Sequence, residues 1–188
     1  MAALRERLSW ETAEGAVADG PRRYLLMRPD VLMGALVRLD EAARRSWLGA
    51  VAESARVQGG ESLAAYAATV GHDSARLLEA TASAAADLGW GRWVFTHAQQ
   101  APDEVLQLEV HGSPFAAGWL AAGGGTSAQP VCAPVCGMLA ALASLLWPGR
   151  PVQVREQRCG VAGQPPAATC AFEARPQGPL QPPGQRRP

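Results

Sequence analysis

One glutamate and four cysteines carry the chemistry that these 188 residues offer. Glu156 falls in an alternating run, Val152 to Gln157, and shares a face with Val152 and Val154, which should point inward. An ionised carboxylate among valines is costly unless it is paired or held against a cation. Cys159 follows three residues later, and Cys170 shares a face with Phe172 in a second alternating run, Thr169 to Ala174. Cys132 stands just before an apolar helix, where the macrodipole favours a thiolate. One Glu and three Cys make a closed tetrahedral set suited to Zn2+. Cys136, one helical turn beyond Cys132, can replace Glu156 to give a four-cysteine set. The spacings are not those of a zinc ribbon, in which cysteines come as two close pairs. The plain structural alternative is four thiols in a core, with Glu156 as an edge carboxylate beside Arg155 or Arg158.

A second group of residues suits an apolar ligand. Trp90, Trp93, Phe95, Phe115 and Trp119 lie close together along the chain. Aromatic side chains at such positions build cores and also wall ligand cavities. Of the three histidines, His97 shares a face with Trp93 and Phe95, and His111 ends a strand just before Ser113-Pro114-Phe115. Both can bond a phenol or tetrapyrrole group. His72 falls in a break between helices, where solvent is expected. The candidate ligand-binding set is thus Trp93, Phe95, His97, His111, Phe115 and Trp119. Gly89-x-Gly91 is no dinucleotide fingerprint, because it lacks the third glycine and precedes a strand. There is no G-x-S-x-G and no H-E-x-x-H. The chain has no lysine, which excludes a Schiff-base lysine and a P-loop lysine.

The elements that must position these residues can be read from periodicity. Leu36, Leu39, Ala43, Trp47 and Val51 recur at helical spacing up to Val57, with Asp40 as a cap and Gly59-Gly60 as the expected stop. A second helix is expected from Glu61, interrupted at Gly71-His72-Asp73. A third, capped by Asp73, carries Leu77, Leu78 and Ala85 inward and ends at Gly89. The period then changes. Arg92 to Ala98 and Val105 to His111 alternate around Pro102-Asp103 and read as a β-hairpin. Gly123 to Gly125 mark a loop. Val135 to Trp147 is apolar on nearly every side and belongs inside the fold. The order predicts an α+β domain: N-terminal helices, an antiparallel sheet of two hairpins, and a buried central helix.

Apolar residues make up 48% and charged residues 18%, a globular composition. Acidic and basic residues balance at 17 each, which argues against a nucleic-acid binder. The longest apolar run falls well short of the roughly 20 residues a bilayer span needs, so no membrane span is expected. Residues 1–21 are polar, carry no apolar signal region, and are expected to be flexible. Residues 22–175 should form one domain. The Pro-rich stretch 176–188 should be unstructured. Without a secretory signal the thiols are expected in a reducing, cytoplasmic setting.

The stretch Pro130-Val131-Cys132, then Gly137, then Arg155-Glu156-Gln157-Arg158-Cys159, Gly163 and Cys170-Ala171-Phe172, resembles the C-terminal half of the 4-vinyl reductase domain. Gly89-Trp90-Gly91-Arg92-Trp93 and Val110-His111-Gly112-Ser113-Pro114-Phe115 are similar to that domain's central hairpin and its closing turn. The resemblance implies the α+β ligand-binding fold shared with trafficking-complex subunits of the TRAPP type. It also implies what is known of aromatic-responsive regulators that carry this domain, in which zinc sits beside a pocket for a small aromatic effector. Carried over residue by residue, the zinc ligands fall on Cys132, Glu156, Cys159 and Cys170, and Cys136 becomes a helix residue. The gap between Cys159 and Cys170 is a few residues longer than the family's, owing to Gln164-Pro165-Pro166-Ala167-Ala168.

These readings lead to one expectation: a stand-alone module that holds a hydrophobic aromatic or tetrapyrrole-type ligand beside a structural zinc. The alternative is an accessory protein or reductase acting on the 4-vinyl group of a (bacterio)chlorophyll precursor, although no nicotinamide or flavin motif accompanies it. A third reading is that the domain uses its fold to form a homodimer.

Overall fold

The computed structural model describes residues 4–71, 73–98, 104–162 and 169–178. The polar stretch 1–21, expected to be flexible, holds regular structure from Leu4 onward. A short helix α1 (Leu4–Arg7) leads into three short strands, β1 (Ser9–Glu11), β2 (Ala16–Asp19) and β3 (Arg22–Tyr24), which form an antiparallel sheet in that order. Arg7 pairs with Asp19 at 2.9 Å, which ties α1 to β2. Strands of three or four residues are too short to leave a period in the sequence.

Helix α2 (Pro29–Val37) starts on a proline, whose fixed φ and missing N–H suit a first turn. Asp40 then caps α3 (Glu41–Thr69), its carboxylate accepting from the Ala43 N–H at 2.8 Å. Helix α3 does not stop at Gly59-Gly60 but runs through both glycines for 29 residues. The expected break is corrected by what packs there. A Cβ at Gly59 would lie 2.1 Å from the Met138 sulfur, and one at Gly137 would lie 2.1 Å from the Ala52 carbonyl oxygen. Gly137 lets the two helices touch along their backbones, and Gly59 leaves room for the Met138 side chain. Asp73 caps α4 (Ser74–Asp87), accepting from Arg76 N–H at 3.0 Å.

Strands β4 (Arg92–Ala98) and β5 (Val105–His111) form the first hairpin, and β6 (Val152–Arg158) and β7 (Thr169–Pro176) the second. The sheet order is β4-β5-β7-β6, antiparallel throughout. The register lines up Phe95, Leu108, Phe172 and Glu156 in one row, and Trp93, Val110 and Cys170 in the next. Leu106, Leu108 and Val110 are fully buried, each contributing about 1.5–3 kcal/mol. Between the hairpins come α5 (Pro114–Ala121) and α6 (Ala133–Leu146). Helix α6 packs against α3 and against β6 and β7, and its apolar sides are covered as expected. Helix α5 had no signal in the sequence, since Pro-Phe-Ala-Ala-Gly-Trp-Leu-Ala shows no polar face. It packs on α2. Among the described residues no helix is long and apolar enough to cross a membrane. The stretch 179–188 lies outside the described residues.

Candidate functional site

The second hairpin and the start of α6 bring four side chains together. One ligand atom from each of Cys132, Glu156, Cys159 and Cys170 lies within 4.8 Å of every other. Each comes from a different local device. Cys132 is the residue before the first turn of α6. Glu156 reaches the cluster from the inward face of β6, beside Phe172. A register shift between Glu156 and Arg158 then bends the strand, as an extra residue in one strand does, and Cys159 follows directly. Cys170 sits in the buried row of β7.

The three cysteines are buried and unbridged. Cys132 and Cys170 sulfurs stand 3.6 Å apart. A disulfide needs about 2.05 Å. Two sulfurs on one tetrahedral zinc, each about 2.3 Å from it, stand roughly 3.8 Å apart. The outer contacts also suit ligands: Ser113 Oγ lies 3.2 Å from the Cys132 sulfur, and Gly160 N–H donates to the Cys170 sulfur at 3.2 Å. One Glu156 oxygen accepts from Cys132 N–H at 3.2 Å, while Oε1 is buried with no hydrogen-bond partner. A buried carboxylate oxygen left over in this way fits a cation.

The electrostatics point the same way. Burial, and then the charge and hydrogen bond of Cys159, push the Glu156 carboxyl up to about 9. Hydrogen bonds to Cys159 and Cys170, with burial, push the Cys132 thiol up. Hydrogen bonds from Cys132 and Cys159 draw Cys170 down to about 4. Crowded acids share protons in this manner when no cation balances them, and a dication takes the place of those protons. The donor set of three sulfurs and one oxygen could hold a metal, and four protein ligands leave no open position for catalysis. Cys136 stands outside the group. It is half-buried, and burial followed by the Glu156 charge pushes its thiol up to about 12.

A cleft of about 410 Å³ lies between α3, α4 and the start of the first hairpin, with Pro134 and Met138 of α6 at one side. Leu63, Ala85, Trp93 and Phe115 form its buried floor. Trp90 meets Phe115 edge-on, with ring centroids 5.3 Å apart and planes at 89°. Tyr24 of β3 and Tyr66 of α3 also line it. Arg7 donates to the Tyr66 hydroxyl at 3.2 Å and lies 5.3 Å over its ring.

Of the residues expected to meet a ligand, Trp93 and Phe115 line this cleft. Phe95 stands behind Trp93, 5.9 Å between centroids, outside the lining. Trp119 is buried elsewhere: its indole N–H donates to the Gly125 carbonyl at 2.9 Å, and Arg44 lies 4.9 Å over its ring. His111 is half-exposed, 3.8 Å from Glu109. His97 pairs with Leu106 in the hairpin, and its side chain lies outside what is described, as does all of His72. Sequence reasoning assigned no role in the cleft to Tyr24, to Tyr66 or to the α3 residues. The α3 wall became visible only once that helix was seen to continue through its glycines.

No family model and no curated protein matches the chain. Among solved structures it is similar to the crystal structure of the phenol-responsive sensory domain of the transcription activator PoxR with phenol. The likeness covers 92% of this chain and 86% of that one, with a TM-score of 0.75 and 21% identity. At that identity the likeness speaks to the fold: the chain has the α+β fold of that sensory domain.

Proposed function

We propose that the protein is a small-molecule-binding module of the 4-vinyl reductase domain type, which holds an aromatic ligand in the α3–α4 cleft beside a structural zinc. The observation that carries this reading is an aromatic-floored cleft sharing helix α6 with a closed set of three thiols and one carboxylate. The solved neighbour is named for its response to phenol and was crystallised with it, which favours an aromatic ligand. Cys132, Glu156, Cys159 and Cys170 would hold the zinc. Bound there, the metal would supply a cross-link between the second hairpin and α6, and so contribute to folding. Thiol ligands suit a reducing, cytoplasmic setting.

The test is metal analysis of the purified chain together with a titration. Zinc should co-purify at about one per chain, and Cys159→Ala should lose the metal and melt well below the wild type. Phenol should bind the zinc-loaded chain in calorimetry. A metal-free protein with unchanged melting overturns the zinc. Failure of every aromatic probe to bind overturns the ligand.

A further inference from the structure

Resting on the ligand-binding reading above, we infer that the cleft selects an uncharged ligand of two or three rings, bearing oxygen groups along one edge, over a single-ring phenol. Three features of the cleft carry this. The first is size. A cavity of about 150 Å³ holds one benzene ring, so the cleft's roughly 410 Å³ has room for two to three rings. A single ring would leave most of it to water.

The second is charge. None of the residues lining the cleft is charged, although charged residues are 18% of the chain. A carboxylate or ammonium on the ligand would be desolvated there without a counter-ion. A tetrapyrrole, with four rings and acidic side chains, fits on neither count.

The third is the pattern of polar groups. Ser54, Gln58 and Ser62 follow one another at every fourth position on α3, all along the cleft. Positions four apart lie on one helix face and about 6 Å apart along the axis. Among the described residues these three side chains have no hydrogen-bond partner. The other wall is aromatic, with Trp90, Trp93 and Phe115 in edge-to-face and tilted contacts. A flat ring system resting on that wall turns one edge to the polar line and meets two of its members at once. A phenol has one oxygen and reaches one member.

The experiment is isothermal titration calorimetry of the full zinc-loaded chain with four probes: phenol, naphthalene, 2,7-naphthalenediol, whose hydroxyls share one edge, and 2,7-naphthalenedisulfonate. The diol should bind about tenfold tighter than phenol, as one added hydrogen bond and a second buried ring allow, and tighter than naphthalene, over which it adds two hydrogen bonds. The disulfonate should not bind. The double variant Gln58→Leu, Ser62→Ala should bind the diol no tighter than it binds naphthalene. Gln58 is exposed and Ser62 half-buried, and both changes shorten or replace a polar side chain without adding bulk, so the fold should tolerate them, and circular dichroism checks that it does. A diol no tighter than phenol, binding of the disulfonate, or a double variant with full diol affinity overturns the inference while phenol binding upholds the underlying reading. Binding of no probe at all overturns both.

Discussion

Gly137→Ala tests whether close helix contact holds the site together. The new Cβ would lie 2.1 Å from the Ala52 carbonyl oxygen and 2.9 Å from the Ala55 Cβ. An ordinary carbon–oxygen contact begins near about 3.3 Å, so α3 and α6 must part by roughly 1.2 Å. The obstacle is backbone, and no flexible side-chain tip can swing away. A gap of that order forfeits about a quarter to a half of each dispersion contact it opens, and overpacking a core costs about 1–3 kcal/mol. For a chain of this size each kcal/mol moves Tm by about 2–4 °C, so a fall of roughly 2–12 °C is expected. Gly49→Ala is the matched control. Gly49 lies in α3, the helix that Gly137 abuts, is exposed, and has nothing within 4 Å of its virtual Cβ. Relieving a mid-helix glycine there should add about 0.5–1 kcal/mol. Thermal unfolding followed by circular dichroism should therefore move the two variants in opposite directions. If Gly137→Ala melts with the wild type, or both glycine variants shift the same way, the close-contact reasoning is refuted.

Other substitutions separate the metal cluster from the cleft and from the core. Gly59→Ala directs its Cβ at the mobile tip of Met138, so melting should change by less than about 1 kcal/mol. Because Met138 lines the cleft, affinity for 2,7-naphthalenediol should still drop in calorimetry. Cys136→Ser should retain the zinc content of the wild type, because Cys136 lies outside the four-residue group, whereas Cys170→Ser should lower it. Trp119→Phe removes the bond to Gly125 and weakens the Arg44 stacking, which should cost about 2 kcal/mol in chemical denaturation. It should leave phenol affinity unchanged, since Trp119 is outside the cleft lining.

Alternation made both hairpins legible, because a half-buried strand must reverse polarity at each residue. The caps at Asp40 and Asp73 were legible for a similarly local reason: a short carboxylate before an apolar period has a helix N–H to satisfy. Glu156 stood out through conflict, as an acid on a valine face. Gly59-Gly60 misled because a glycine pair reads the same whether it ends a helix or admits a neighbour, and only the position of Met138 and Ala141 in space tells the two apart. The cleft was half legible for the same reason. Aromatic residues clustered in sequence, but Trp93 and Phe115 face α3 while Trp119 turns toward Arg44 of the same helix and the loop at Gly125. That division is tertiary and leaves no local trace.

The register shift after Glu156 settles a question of parity. In an unbroken strand, residues three apart point to opposite sides of the sheet, so Glu156 and Cys159 would be strangers. One surplus residue at the kink restores them to a common side. The odd interval between the acid and the thiol is thus the written form of that kink. Deleting Gln157 would straighten the strand yet leave the pair two apart and still on a common side, whereas straightening the strand at its present length would send one of the two away from its companions.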